Sequence, residues 1–343
     1  MVGRSRRTRL RVGWVAAGTL RARHPRYSAL EAAVAMRVAN NARGLEALDP
    51  GIHCELYRPR HRYDVVVFFK AMDEECQAEA ARIKGYGGRI VFDANVNYYE
   101  IDGHYDIPGT RPTEQQQRDA IAMTRDADHV VADSSVLLEV VQRFNERATW
   151  IPDNVDLSDW TSRVVHGPRE VVRIVWSGVA KKAAPLLGIR DALATLRGAE
   201  LILVSNERPE VLDELESAIP CTFLPFAMRG YASILGTCDL IISPKNLANA
   251  YERGHSEWKI ALGMAAGLPA VASPQQSYRE AIGHLGGGVI ADTPEEWAAA
   301  LGDLTGDSDR RAVLGALARR TVEERYDTPV VARRYLDVVR SLS

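Results

Sequence analysis

The chain alternates short apolar runs with helical patterns, and this alternation restricts its fold more than any other feature of the sequence. Uninterrupted apolar runs are typical of strands buried on both faces of a parallel sheet, with the helical stretches as crossovers. Twelve runs are predicted to be strands: 10–15, 53–57, 64–69, 89–92, 129–132, 149–151, 171–176, 201–205, 222–224, 240–243, 270–273 and 288–291.

The alternation is interrupted once, at residues 152–169, which are rich in turn formers and lack periodicity. Because 343 residues are too many for one ordinary core, this stretch is interpreted as a linker between domains. We predict an α/β protein of two doubly wound, Rossmann-like domains, at 1–155 and 156–325, that face a cleft, with a final helix at 326–343. Ligands of such sheets lie beyond the carboxyl ends of the strands. Helices are predicted at 28–48, 73–85, 113–126, 134–145, 186–197, 209–218, 229–237, 256–266, 276–283, 294–304, 307–325 and 328–342.

The charge and composition of the chain restrict the kinds of partner that it can bind. A net charge of -2 gives no electrostatic case for nucleic acid, and no apolar stretch is long enough to span a bilayer, although peripheral membrane association stays open. The four cysteines are scattered, which favours a reduced, cytoplasmic setting. The basic segment 5–10 resembles an export signal, but the short apolar run after it favours a basic tail followed by a first strand.

The segment 249–273 is the most informative about function. Ser256 suits a helix N-cap, and Lys259 then falls in the first helical turn, where a cation is unfavourable beside the positive end of the helix dipole. A bound phosphate would reverse this cost, because amides, hydroxyl and ammonium would all face one anion. The alternative is a solvated lysine partly offset by Glu257.

A second cationic element follows the first strand of the C-terminal domain. Gly178 allows the backbone to approach a ligand, and Lys181 and Lys182 lie just beyond it. This loop and the Ser256–Lys259 turn both open βα units of one domain, so they can face one pocket and stabilise a departing diphosphate. Taken alone, the lysine pair is better explained as a solvated surface feature, and it becomes a candidate only together with Ser256 and Lys259.

In the N-terminal domain, Asn95, Asn97 and Tyr98 follow a strand and suit a hydroxyl-rich ligand, to which the loop at Gly18 could add contacts; the alternative is an ordinary Asn/Asp turn. His104 is the histidine nearest this loop, although a surface loop histidine is the plainer interpretation. The histidines lack metal-ligand spacing, so no metal site is predicted.

In combination these residues resemble the retaining, family-four-like branch of the GT-B glycosyltransferases. The similarity covers most of residues 10–325 and is carried by an ordered series rather than by one motif. Its pieces are 84–93, 128–134, 150–156, 177–182, 231–244 and 256–273.

The resemblance implies a donor domain at 156–325 that binds a nucleoside diphosphate sugar and an acceptor domain at 1–155, with the last helix packing back on the latter. It implies glycosyl transfer with retention, the nucleotide sugar as co-substrate and no other cofactor. The implied residues fall into three groups: catalytic Lys259, Lys182, Glu252 and His104; donor-binding Gly178, Lys181, Ser256, Glu257 and Glu280; acceptor-binding Asn95, Asn97, Tyr98 and Gly18.

One departure from the family pattern concerns the ribose. Such enzymes usually carry two glutamates separated by seven residues, and the corresponding positions here are Gly254 and Leu262. Glu252 is a potential substitute for the first, and Glu257 or Glu280 for the ribose contact. Two further hypotheses therefore stay open: a GT-B-shaped protein that binds or activates without transfer, and a nucleotide-sugar epimerase.

Overall fold

The computed structural model describes residues 9–20, 34–160 and 163–343. The basic segment before Arg9, the end of the loop after Gly18 and the first residues of the helix predicted at 28–48 lie outside the described residues. Within these ranges no helix is both long enough and apolar enough to cross a membrane. The chain forms two compact units: 1–102, 111–154 and 328–343 in the first, and 103–110 with 155–327 in the second.

The first unit contains a parallel six-stranded sheet in the order β2-β1-β3-β4-β5-β6. Its strands are β1 (Leu10–Ala16), β2 (Ile52–Leu56), β3 (Val65–Phe69), β4 (Arg89–Asp93), β5 (His129–Ala132) and β6 (Ala148–Trp150). A π-helical stretch, Ala35–Asn40, continues into α1 (Asn41–Leu48), and the other helices are α2 (Glu74–Gly85), α3 (Glu114–Asp126) and α4 (Ser135–Gln142). Thr113 starts α3 with a capping box, which satisfies two free backbone amides.

The last helix, α13 (Thr328–Leu342), completes the first unit. It packs against α1, and Tyr335 is buried beside Trp14 with ring centroids 5.5 Å apart. The Tyr335 hydroxyl donates to Asp93, whose carboxylate also accepts two hydrogen bonds from buried Arg37. Arg37 pairs in addition with Asp153 at 2.8 Å. A buried charge is stable only when it is paired in this way, so the helix supplies both apolar cover and a hydroxyl.

The second unit contains a parallel six-stranded sheet in the order β12-β11-β10-β7-β8-β9. Its strands are β7 (Val172–Ser177), β8 (Ala199–Ser205), β9 (Cys221–Pro225), β10 (Leu240–Ser243), β11 (Ala270–Ala272) and β12 (Gly288–Ile290). Its helices are α5 (Arg190–Ala194), α6 (Leu212–Glu216), α7 (Tyr231–Leu235), α8 (Ala250–Arg253), α9 (Trp258–Ala266), α10 (Gln276–Leu285), α11 (Pro294–Gly306) and α12 (Ser308–Arg325).

The predicted α/β class and the two doubly wound sheets are confirmed, and each of the twelve predicted strands is present with its ends shifted by at most two residues. The helix predicted at 186–197 is wrong in type over its first half. Residues Ala184–Ile189 form 3₁₀ turns, and only Arg190–Ala194 is α-helical. Pro185 and Gly188 lie in that half, and both are poor α-helix formers. The helix α8 was not predicted.

Candidate functional site

The centre of the second sheet contains the point where its winding reverses. The chain proceeds from β7 outward through β8 and β9, and then returns to β10 on the other side of β7. At such a switch point the two loops leave the sheet in opposite directions, and a crevice forms between them. Gly178 directly follows β7, and Lys245 lies two residues after the end of β10.

A cavity of about 270 Å³ lies at these strand ends, and among the described residues all those that line it belong to the second unit. Three of its lining side chains are lysines, Lys182, Lys245 and Lys259, and two are carboxylates, Glu252 and Asp106. The rest of the lining is Ile107, Thr110, Ala184, Pro185, Asn246 and Asn249. The cavity therefore has an excess of positive charge.

Lys182 is held by several neighbours at once. Its ammonium lies 3.2 Å from Glu252 Oε1 and 3.2 Å from His255 Nε2, and it donates to the Tyr251 hydroxyl at 3.5 Å. The same ammonium lies 4.6 Å from the centroid of the Tyr251 ring, within cation–π range. These contacts fix the lysine's position before any ligand binds.

Glu252 bridges two of the lysines. Its second oxygen, Oε2, accepts from Lys245 Nζ at 2.8 Å, and both side chains of this pair are at least nine-tenths buried. The N-cap Asn249 fixes the start of α8 by accepting from the Glu252 amide, which places the carboxylate over the end of β10. Glu252 is thus the internal counter-ion of the cavity.

Lys259 lies in the first turn of α9, with its ammonium 5.5 Å from the Trp176 ring centroid. Gly178 makes room for it: a Cβ at position 178 would lie 2.9 Å from Lys259 Nζ and 3.0 Å from the Trp176 ring. The absence of a side chain at Gly178 therefore lets the lysine reach the switch point. The structure thus places Gly178 next to Lys259, two residues that the sequence analysis assigned to one pocket.

The electrostatics of the cavity favour an added anion. Burial and the charges of Lys245 and Lys182 lower the pKa of Lys259 well below its ordinary value. Burial and Lys245 lower the pKa of Lys182 to about 8. Burial and Lys182 likewise lower the pKa of His255, so its neutral ring can accept a hydrogen bond. Burial alone would raise the pKa of Glu252, but Lys245, His255 and Lys182 hold it below its ordinary value.

The structure corrects the predicted start of the α9 helix. Ser256 is not the N-cap: that position belongs to Glu257, the helix begins at Trp258, and no side chain caps it. The Ser256 carbonyl lies 3.4 Å from Gln275 Nε2, and the stronger bond of that amide is to the His255 carbonyl at 2.6 Å. This contact holds the turn against the start of α10 and allows the helix to begin two residues later.

The other predicted donor-site residues lie outside the cavity lining. Lys181 is exposed and donates to the Pro108 carbonyl at 3.2 Å. Glu257 is completely buried, and Glu280 accepts from Gln276 at 3.0 Å on α10. Leu262, at the position where the family resemblance expects a ribose-binding glutamate, is 8% exposed and belongs to the core of the second unit.

The loop 103–110 forms one wall of the cavity. The His104 amide donates to the Ala248 carbonyl at 3.3 Å, and Asn249 Nδ2 donates to the His104 carbonyl at 2.8 Å. Gly103 has a φ of +89°, and a Cβ there would lie 2.0 Å from the Ala248 carbonyl oxygen, so only glycine fits. The predicted catalytic residue His104 has an 81% exposed side chain that pairs with Asp106 at 2.8 Å.

The predicted acceptor residues lie in the first unit. Asn95 Nδ2 donates to Asp133 Oδ2 at 2.9 Å, whereas Asn97 is buried and its oxygen accepts two nearby backbone amides, as in an ordinary turn. Tyr98 is partly buried, and burial raises its pKa. Gly18 is exposed, with a φ of +75°. Their assignment to an acceptor stays a prediction.

Sequence reasoning missed Lys245, Tyr251 and His255. A lysine just after a predicted strand near the centre of a doubly wound sheet was an available signal, because the carboxyl ends of such strands meet at the ligand crevice. Tyr251 and His255 carry no comparable signal, since they contribute through contacts to Lys182 that only the folded loop creates.

No protein-family model matches the chain. None of the curated proteins matches it either. Solved structures do match over nearly the whole length. The chain is similar to sucrose-phosphate synthase from Thermosynechococcus elongatus (TM-score 0.70, 14% identity, 97% of this chain and 99% of that one). It is also similar to Anabaena HepE in complex with UDP-glucose (TM-score 0.67, 15% identity, 97% and 100%) and to a glycosyltransferase from Rickettsia africae (TM-score 0.67, 13% identity, 98% and 98%).

The chain has the GT-B fold. At 13–15% identity the likeness establishes the fold and leaves the activity to be argued from the site. Within the second sheet of this GT-B chain, the lysine cavity lies at the switch point, where α/β sheets of this winding bind their ligands.

Proposed function

We propose that the chain is a glycosyltransferase that moves a sugar from a nucleoside diphosphate sugar to a hydroxyl acceptor, with retention and without a metal cofactor. The observation that carries the proposal is the convergence of Lys182, Lys245 and Lys259 on one cavity at the switch point of the second sheet. Three protonated lysines and the buried Glu252 leave a charge of +2, and the half-exposed Asp106 reduces it to +1 for the lining as a whole, so the cavity keeps an excess of positive charge that suits a diphosphate ester.

The lysines would act on the leaving group. As the bond between the sugar carbon and the diphosphate oxygen breaks, negative charge grows on that oxygen, and fixed cations stabilise it most where water is excluded. The acceptor oxygen forms the new bond to the sugar carbon, and its proton passes to a diphosphate oxygen. In this scheme the chain needs no nucleophile of its own, and the lysines supply the charge that a metal would otherwise provide.

Further points support individual parts of the proposal. The neighbour HepE holds UDP-glucose in its solved structure, which makes UDP the first nucleotide to test. Retention rests on the resemblance of the segment 256–273 to the retaining branch.

The four cysteines are free thiols, in keeping with the proposed cytoplasmic location. For the acceptor we propose the first unit, with Asn95 as the candidate that faces neighbouring carboxylates.

The donor site is tested with a thermal-shift panel of UDP, GDP, ADP, TDP and CDP and their glucose esters. Binding to the folded state raises the melting temperature. We expect one base series to stabilise the wild type and Lys259→Met to lose that effect, since a charged hydrogen bond contributes about 1.5–3 kcal/mol. Arg197→Met, which removes an exposed cation outside the cavity, is the control. If no nucleotide shifts the wild type, the proposal is wrong.

Retention and metal independence are tested on the same protein. With water as the acceptor, NMR of the sugar released from the α-linked donor should show the α-anomer first, and EDTA should leave the rate unchanged. Initial release of the β-anomer contradicts retention. A rate that EDTA abolishes and Mg²⁺ or Mn²⁺ restores contradicts the role given to the lysines.

A second candidate is a protein that binds the nucleotide sugar without transferring it. The burial of Leu262 favours this candidate, because a leucine in the core offers no hydrogen bond to a ribose. The two candidates differ in one measurement: both bind the donor, but only the transferase releases nucleoside diphosphate over time.

A further inference from the structure

The lysine cavity has a second, oppositely charged wall. Asp106 lines it from the loop 103–110, together with Ile107 and Thr110, whereas the three lysines come from the strand ends and α9. Asp106 is half-exposed, and each of its carboxylate oxygens has a partner that holds the side chain in place. Oδ1 pairs with His104 at 2.8 Å, and Oδ2 accepts a hydrogen bond from Asn246 Nδ2 at 2.9 Å. The loop thus presents a fixed carboxylate to the cavity.

From the charges that line the cavity we infer which part of a donor each wall contacts. A bound anion favours the protonated forms of Lys182, Lys245 and Lys259, which then supply three positive charges, and Glu252, buried between two of them, carries one negative charge. A diphosphate ester neutralises the remaining two. Asp106 pairs with the exposed His104 rather than with a lysine, so its carboxylate stays available to whatever is attached to the diphosphate.

The size of the cavity limits what that group can be. Sites for drug-sized ligands occupy about 300–1,000 Å³, so 270 Å³ cannot enclose a complete nucleotide sugar. It is suited to the diphosphate and one attached group, which we take to be the sugar.

We propose that Asp106 is a specificity-determining residue that accepts hydroxyl groups of a neutral donor sugar and rejects a sugar that carries a carboxylate. Hydroxyl donors form charge-assisted hydrogen bonds with a fixed carboxylate, whereas a second carboxylate at the same place is repelled. Asn246 acts as a positioning residue, because its amide holds the Asp106 side chain at the cavity wall. The inference rests on the proposed donor class and adds the type of sugar.

The test uses isothermal titration of the full chain with UDP, UDP-glucose and UDP-glucuronate. We expect the wild type to bind UDP-glucose at least tenfold more tightly than UDP-glucuronate. Asp106→Asn should bind UDP as the wild type does but lose most of that discrimination, because the repulsion is gone. Asp106→Glu keeps the negative charge and should keep the discrimination, which a merely structural role of Asp106 would not predict. Asp213→Asn removes an exposed carboxylate outside the cavity and is the control.

Each outcome has a defined meaning. If Asp106→Asn binds UDP normally and still discriminates as the wild type does, the role of Asp106 is refuted while the diphosphate site stands. If the wild type binds UDP but prefers UDP-glucuronate, the charge argument is wrong. If none of the three ligands binds to the wild type, this inference and the UDP-sugar donor proposal both fail. Melting curves of all variants separate a lost contact from lost folding.

Discussion

Replacing Lys182 by methionine is expected to stabilise the unliganded protein and to weaken diphosphate binding. Methionine has a similar length but no charge, so it removes the unfavourable burial of an ammonium among other cations. The pKa of Lys182 falls from 10.5 to about 8, and this difference corresponds to about 3 kcal/mol of unfavourable free energy at pH 7. Because this shift already includes the attraction of Glu252, nothing further is subtracted, and we expect a gain of up to about 3 kcal/mol.

Scanning calorimetry at several pH values measures this gain. For a unit of this size, 1 kcal/mol raises the melting temperature by about 2–4 °C. Because the folded-state pKa of Lys182 is depressed, the unfolded chain binds more protons between pH 8 and 10.5, and the stability of the wild type rises with pH in that window. The advantage of Lys182→Met is therefore complete below pH 8 and disappears as the pH approaches 10.5.

The same samples are then scanned with UDP present. We expect UDP to raise the melting temperature of the wild type and of the control Arg197→Met, and to have little effect on Lys182→Met. A Lys182→Met protein that melts below the wild type at pH 7 would refute the reasoning, since the buried lysine would then stabilise the unliganded fold instead of destabilising it.

Three further substitutions follow from the contacts described above. Gly178→Ala should weaken UDP binding about tenfold, because the added methyl group displaces Lys259. Gly188→Ala is the control, since a Cβ at that position meets nothing within 4 Å and should leave UDP binding unchanged. Titration calorimetry compares the two variants. Leu262→Glu should lower stability by about 3 kcal/mol or more without tightening UDP binding, because it buries a carboxylate in the core; tighter binding would contradict its placement. Arg37→Met should cost about 3–5 kcal/mol in urea unfolding, because it leaves buried Asp93 without its cation; a loss below 1 kcal/mol would contradict this.

The strands were predictable because each is a run of apolar residues long enough to be buried on both faces, and this signal does not depend on distant contacts. Short elements were less predictable. The four residues of α8 lie between turns, and their helical state depends on the cap that Asn249 provides. The 3₁₀ turns before α5 have the apolar pattern of a helix, and only Pro185 and Gly188 signal the difference.

The site was predictable where the residues themselves carry the chemistry, as at Lys182, Lys259 and Gly178. It was not predictable where the chemistry depends on folding. Lys245 contributes to the cavity because the loop after it and α8 bring Glu252, seven residues later in the sequence, into contact with its ammonium group. Asp106 reaches the cavity because hydrogen bonds from the His104 amide to Ala248 and from the Asn249 side chain to His104 hold the loop 103–110 within the second unit.

The placement of α13 has a consequence for synthesis. The first sheet is translated within about the first 150 residues, but the helix that covers one of its faces is translated only after the whole of the second unit. During the whole synthesis of the second unit, the apolar side chains that later contact Val331, Tyr335 and Val339 stay uncovered in the nascent chain. Such exposed surface promotes aggregation, so production of this protein should be sensitive to chaperone supply.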